Sequence, residues 1–459
     1  MNKYFRISCI VIILTILLQS SVSFVAASGS TNGKITSVKI AVISDPHYFS
    51  PDLGVTGSKF ENYLSKTKKL IPQSEAILRK TVDSIKASDA NIVLIPGDLV
   101  KDGEYINHQV FAGFLQELRS SCKKVYVIAG NHDINNPASY MYSGSTKTRI
   151  RNTSPADFKK IYNDFGYKEA IAADPNSLSY VVEPVKGLRI IAIDACMYNN
   201  NLGQQTTSGE IQAKTLSWIE KQLKDAKSKG ITVFGMMHHG LVQHFSVQSV
   251  LYGDFLVKDW QRMADKLADL GLKAVFTGHY HAQDISKYVS KKGNVIFDIE
   301  TGSLVTYPNP YRMVEWSSDR MLKVSSHSID SIDYDLGEKS FLDFSKDSLV
   351  KSLYSDIPEM LTGLFSIFNT KNQAQAKIKE LGSTEFVSGK TLFDVIVDTM
   401  LANHKGDELM SREVMTACEQ LKASGSIEMK FTAQALLSLG IDPEPADNNI
   451  SLDLSKQVK

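Results

Sequence analysis

Seven short β-branched runs recur between residues 38 and 299, and they limit what this chain can fold into more than any other feature. They are VKIAVI (38–43), NIVLIPG (91–97), KVYVIAG (124–130), LRIIAID (188–194), ITVFGMM (231–237), KAVFTG (273–278) and NVIFDI (294–299). Near-continuous Val and Ile over this length suits strands covered on both faces, as in parallel sheets. Amphipathic helical patterns lie between several of them. SEAILRKTVDSIKAS (74–88), IQAKTLSWIEKQLKDAKSKG (211–230) and VKDWQRMADKLADLG (257–271) are three, the last ending in a glycine where a helix C-cap is expected. This alternation predicts a layered α/β domain with its active residues on loops at strand ends.

What terminates the runs is as informative as the runs themselves. ISDPH follows the first and places Asp45 and His47 one residue apart. Gly97-Asp98 follows the second, Gly130-Asn131-His132-Asp133 the third, His238-His239-Gly240 the fifth and Gly278-His279-Tyr280-His281 the sixth. Of ten histidines in the chain, residues 47, 132, 238, 239, 279 and 281 fall in these few positions, which scattered structural histidines would not do. Carboxylate and imidazole together suit divalent manganese, iron, zinc or cobalt, whereas an all-oxygen set would suit magnesium or calcium. Two such ions roughly 3.5–4 Å apart bind the attacking and leaving oxygens of an in-line displacement at phosphorus and turn a shared water into a hydroxide nucleophile. Gly97, Gly130, Gly240 and Gly278 let the backbone turn sharply and leave room beside the ligands.

DPH, GD, GNHD, HHG and GHYH, in this order after apolar strands, resemble the calcineurin-like metallophosphoesterase superfamily over residues 37–330. The resemblance implies a four-layer α/β/β/α sandwich. It implies that Asp45, His47 and His281 hold one metal and that Asn131, His238 and His279 hold the other, with Asp98 bridging both. It also implies that His132 lies beside the substrate phosphate, as electrostatic stabiliser or as acid for the leaving oxygen, with Asp133 fixing its ring. HHG stands where HHP is frequent. His239 is open between substrate contact and packing; His108, His244, His327 and His404 are expected to be solvated or satisfied. Asp194 and Arg312 are expected to be structural. The expected activity is hydrolysis of phosphate esters. A nearby arginine cluster is lacking apart from Arg149 and Arg151, which leans the expectation toward diesters over monoesters or nucleotides; a non-catalytic scaffold of the same fold is the other reading.

Past residue 335 the pattern becomes helical throughout, predicting a smaller all-α region over 335–445 with a frayed tail after Pro443. In its first helix, Leu349, Leu353, Ile357, Met360, Leu364 and Phe368 are expected in the core. At the other end, Lys3 and Arg6 precede ISCIVIILTILL (7–18) and a small-residue stretch, the order of a secretory signal over 1–27 and hence of a secreted or cell-surface protein. Twelve apolar residues are short for a span, which needs roughly 20. Cys9 falls in that segment. The remaining Cys122, Cys196 and Cys418 lack any CxxC spacing and are expected to be buried and unpaired. A formal net charge of +1 gives no global field for nucleic acid, so a phosphate-ester substrate must be held by local groups.

Overall fold

Each of the seven runs is a strand in the computed structural model, which describes residues 37–455 apart from residue 367. The signal segment expected over 1–27 lies outside the described residues. The strands are β1 (Ser37–Val42), β2 (Ile92–Ile95), β3 (Lys124–Val127), a small hairpin of β4 (Tyr140–Ser143) and β5 (Thr146–Arg149), then β6 (Ala172–Ala173), β7 (Tyr180–Val185), β8 (Leu188–Ile193), β9 (Thr232–Met237) and β10 (Ala274–Thr277). β11 (Asp284–Val289), β12 (Val295–Glu300), β13 (Pro310–Ser317), β14 (Met321–Ser328) and β15 (Asn449–Asp453) complete the set. They build one sheet in the order β15-β14-β13-β1-β2-β3 and a second in the order β11-β12-β10-β9-β8-β7-β6. β1, β2 and β3 run parallel, as do β8, β9, β10 and β12, and every residue of β2, β8 and β10 is buried.

Strand alternation decides which side chains meet between the layers. Phe234 of β9 points toward the other sheet, where Trp316 of β13 meets it edge-on with ring centroids 6.2 Å apart. Its neighbours Val233 and Met237 point the opposite way, into a core closed by Leu216, Ile219 and Leu223 of helix Ala213–Ser228 and by Met263 and Leu267 of helix Trp260–Asp269. The helices Ser74–Ala87 and Tyr105–Ser120 cover the first sheet and pack on each other. Two sheets with helices on them make the expected mixed α/β fold, with a helical region after it.

That region consists of helices Phe341–Phe365, Lys371–Ser383, Leu392–Lys405, Arg412–Ala423 and Ile427–Leu439. Ser340, Thr370, Thr391, Ser411 and Ser426 each cap one of them by accepting from an amide of the first turn, worth about 1 kcal/mol apiece. The core stripe of the first helix is Leu349, Leu353, Ile357, Leu361 and Phe365, spaced by four. Of the others expected in that core, Leu364 is half-buried and packs against it, whereas Met360 and Phe368 are exposed. The tail is not frayed either. β15 pairs antiparallel with β14, Asn449 facing Ser325 and Asp453 facing Met321. Of the cysteines, Cys418 is buried, Cys196 half-buried and Cys122 exposed, and all three are free.

Candidate active site

The predicted site residues sit where parallel strands of both sheets run out. Asp45 and His47 follow β1, Asp98 follows β2, Asn131 and His132 follow β3, His238 follows β9, and His279 and His281 follow β10. Asp45, His47, Asp98, His279 and His281 all have positive φ, between 39° and 76°. L-residues enter that region rarely, and such strain concentrates where side chains must be aimed. Glycines beside them provide space. A Cβ on Gly130 would lie 2.2 Å from Oδ1 of Asp98, and one on Gly278 would lie 2.3 Å from Oδ2 of Asp45. Gly240, by contrast, borders Leu256 and His244 rather than the site.

The acceptor atoms converge on two points. At the first, Nε2 of His281 is 3.2 Å from Oδ1 of Asp45 and 3.3 Å from Nε2 of His47, which lies 3.5 Å from Oδ2 of Asp98. At the second, Nε2 of His238 is 2.9 Å from Oδ1 of Asn131 and 3.4 Å from Oδ1 of Asp98. His238 donates its Nδ1–H to the carbonyl of Pro96 (2.9 Å), which leaves Nε2 as the free lone pair. Nε2 of His279 is buried without a hydrogen-bond partner in the same group, an orphan that a cation would satisfy. Asp98 thus turns one oxygen to each point. Burial would raise its pKa, but the imidazoles of His238, His132 and His47 outweigh that and hold it well below the usual carboxylate range. Imidazole nitrogens, carboxylate oxygens and an amide oxygen in two adjoining groups fit two divalent ions.

His132 stands beside both groups, its amide donating to Oδ1 of Asp98 at 2.8 Å. Asp133 does not fix its ring. The ring Nδ1 is 2.7 Å from the Lys101 carbonyl and 2.9 Å from Oδ1 of Asp102, so Nε2 faces the cleft. Asp133 instead accepts from the amides of Gly130 (2.7 Å) and Val100 (3.1 Å), pinning the GNHD turn to the β2 loop. Adjacent residues in a turn point apart, which is why the two side chains part company. Burial and then the charge of Asp98 push Asp133 up to about 8.

Two lysines escaped the sequence reading. Lys69 places Nζ 3.3 Å from Nδ1 of His47 and 3.3 Å from Nε2 of His132. Lys101 is fully buried, paired with Asp102 and, at 3.2 Å, with Glu104. Both sit in loops without periodicity, so only the tertiary fold reveals them.

The other singled-out residues are structural. His239 donates its Nε2–H to the Thr207 carbonyl and packs on His279 at 4.5 Å. His108 lies between Tyr162 and the Asp133 carbonyl, and His327 stacks on Tyr311. Asp194 accepts from Leu178 and Cys196 amides and the Tyr198 hydroxyl. Arg312 is buried and donates to the carbonyls of Glu300, Asp284 and Asp447. Arg151 pairs with Asp157 on the surface. Arg149 and Arg151 are absent from the cleft wall; Lys66, Lys68 and Lys69 are on it.

The cleft above these groups measures about 500 Å³. Asp356, Met400 and His404 of the C-terminal helices form part of its wall, and Asp356 pairs with Lys68 at 3.3 Å. Among the described residues no helix is long and apolar enough to cross a membrane.

Residues 38–283 match the family described as calcineurin-like phosphoesterase, over more than half of the chain. No curated protein sequence matches it. Similar solved structures include a dimetal phosphatase of Danio rerio, 14% identical with a TM-score of 0.44 over 64% of this chain and 96% of that one. Purple acid phosphatase PPD1 of yellow lupin is 13% identical with a TM-score of 0.41 over 64% and 52%. The NAD nucleotidase of Haemophilus influenzae is 12% identical with a TM-score of 0.35 over 76% and 60%.

Proposed function

Because the chain belongs to the calcineurin-like phosphoesterase family, we propose that it hydrolyses phosphate esters at a dinuclear metal centre in this cleft. One observation carries the reading: side chains from five strand ends converge on two points, with one oxygen of Asp98 at each. Asp45, His47 and His281 would hold one divalent ion of the manganese, iron, zinc or cobalt type. Asn131, His238 and His279 would hold the second, and Asp98 both. When bound, the pair activates water and screens the charge that builds on the phosphate oxygens.

The chain's own groups do the rest. Lys69 adds a cation beside His47 and His132 for an anionic oxygen. Asp102 and the Lys101 carbonyl hold a proton on Nδ1 of His132. In the imidazolium form, with Nε2 protonated as well, the Nε2–H can pass its proton to the departing alcohol oxygen and leave the neutral ring. The lean toward diesters rests on the lack of a nearby arginine cluster. With Lys66, Lys68 and Lys69 on the wall, a dianionic monoester is the better match. The helices over 341–439 act as a fixed cap that limits substrate size, and residues 1–27 direct export.

Turnover of p-nitrophenyl phosphate and bis(p-nitrophenyl) phosphate, with metal analysis of the same sample, tests the reading. Metal-stimulated hydrolysis lost in Asp98→Ala is expected, faster on the monoester. Undiminished turnover by Asp98→Ala, or none by the metal-loaded wild type, overturns it. N-terminal sequencing of protein recovered outside the cell tests the export reading.

A further inference from the structure

The second apolar stripe of the cap helix is only partly covered: Leu364 packs against the helical core, while Met360, and Phe368 beyond the helix end, stay exposed. Together with Val250, Tyr252 and Met400 it lines a groove of about 560 Å³ whose walls are almost wholly hydrocarbon. Val250 is 70% exposed, Phe368 41% and Met360 36%. Single apolar residues on a surface need no explanation, but a contiguous set at one groove does.

What the groove joins points to its occupant. Tyr252 and Met400 line both it and the metal-ligand cleft, so the two spaces share a wall. Rings continue the path. Phe255 lies 4.6 Å from His279, Tyr252 lies 6.1 Å from Phe255, and the Tyr252 hydroxyl reaches Sδ of Met360 at 3.4 Å. A surface built only to dock another protein would not need to share wall residues with the chemistry.

We propose that this groove takes the apolar alcohol portion of the substrate, a phosphate ester of a long alkyl chain whose phosphorus sits among Asp98, His132 and Lys69. The inference rests on the phosphoesterase reading above. In the reaction water supplies the new oxygen on phosphorus, the P–O bond to the alcohol breaks, and the alcohol oxygen leaves with a proton. Cleft and groove each have the volume of a small-molecule site.

Gly363 offers a clean test. It lines the groove, and a Cβ there meets nothing within 4 Å, so Gly363→Trp adds bulk at the groove wall without disturbing the helix. Phosphate release from butyl to dodecyl phosphate by the metal-loaded wild type should rise in kcat/KM about three- to fourfold per buried methylene. Gly363→Trp should flatten that series and leave p-nitrophenyl phosphate turnover unchanged. Calorimetry with decylphosphonate, below its micelle concentration, should show much tighter binding than methylphosphonate, a difference the variant loses. A flat wild-type series with normal p-nitrophenyl phosphate turnover, or equal phosphonate affinities, overturns the groove assignment and leaves the phosphoesterase reading standing. Failure to hydrolyse any ester would remove that reading, while the phosphonates would still decide the groove. Weak decylphosphonate binding by a wild-type dimer that Gly363→Trp dissociates would make the groove an interface between copies and overturn the proposal.

Discussion

Replacing Lys101 by methionine probes how the site is held rather than what it binds. The ammonium is fully buried, pairs with Asp102 and Glu104, and faces the rings of Tyr63, Phe49 and Tyr142 at 4.5, 5.2 and 5.7 Å. Burial alone would lower its pKa, but the two carboxylates hold it well above its ordinary value. Methionine keeps the packing on the rings and removes the charge, leaving two buried carboxylates side by side. Breaking such a pair from one side costs about 3–5 kcal/mol. The lost cation–π attraction, about 0.5–2 kcal/mol, is partly recovered by the thioether against the same rings. A destabilisation of about 3–5 kcal/mol is therefore expected in urea unfolding at pH 7.5 with metal present. Adding Glu104→Gln removes one orphaned charge and keeps an acceptor for the Asp102 amide and Asn107. The double variant should thus be more stable than Lys101→Met alone. A single variant within about 1 kcal/mol of wild type, or a double variant no better than the single, would refute the reasoning.

Asp102→Asn keeps the shape but removes the charge beside Nδ1 of His132, and should lower kcat about 10–100-fold with metal content unchanged, as kinetics and metal analysis on one sample would show. Gly130→Ala pushes a methyl into Asp98, which faces both points, and should cost both ions; Gly278→Ala presses on Asp45 and should cost chiefly one, so stoichiometry separates the two. Asp284 is pushed by burial from an ordinary 3.8 up to about 7. The folded chain therefore holds a proton that the unfolded chain has already released, and the stability this gives is complete below about pH 4 and lost as pH climbs toward 7. Asp284→Asn should then raise the melting temperature at pH 8 and leave it little changed at pH 4, by calorimetry at both.

Sequence reasoning reached the strand ends because each buried run stops abruptly at Asp, Asn or His, a signal carried by neighbouring residues. It failed where a role depends on residues brought together from afar. Asp133 looked like the partner of His132 because it is next in sequence, yet Asp102 on another loop holds the ring. Lys69 and Lys101 looked like ordinary loop lysines, and nothing local marks a lysine that folding will bury. Arg149 and Arg151 were near the motifs only along the chain. Met360 in the cap helix and Phe368 just past its end share the apolar character of the core stripe, yet both stay exposed, and periodicity cannot tell which apolar positions will find a partner.

The strand β15 gives the molecule a clasp. The chain leaves the first sheet at β14, winds through five helices, and returns to zip five residues back onto the strand it left. Asp447 adds to this by accepting from the amides of Ile285 and Asp407. The cap is thus fastened at both ends, and swinging it aside would mean tearing a sheet edge as well as breaking the Lys68–Asp356 pair. Clipping the tail would bare the β14 edge, with its unpaired amides and carbonyls open to other chains. Such a truncation would report self-association before it reported any change in substrate access.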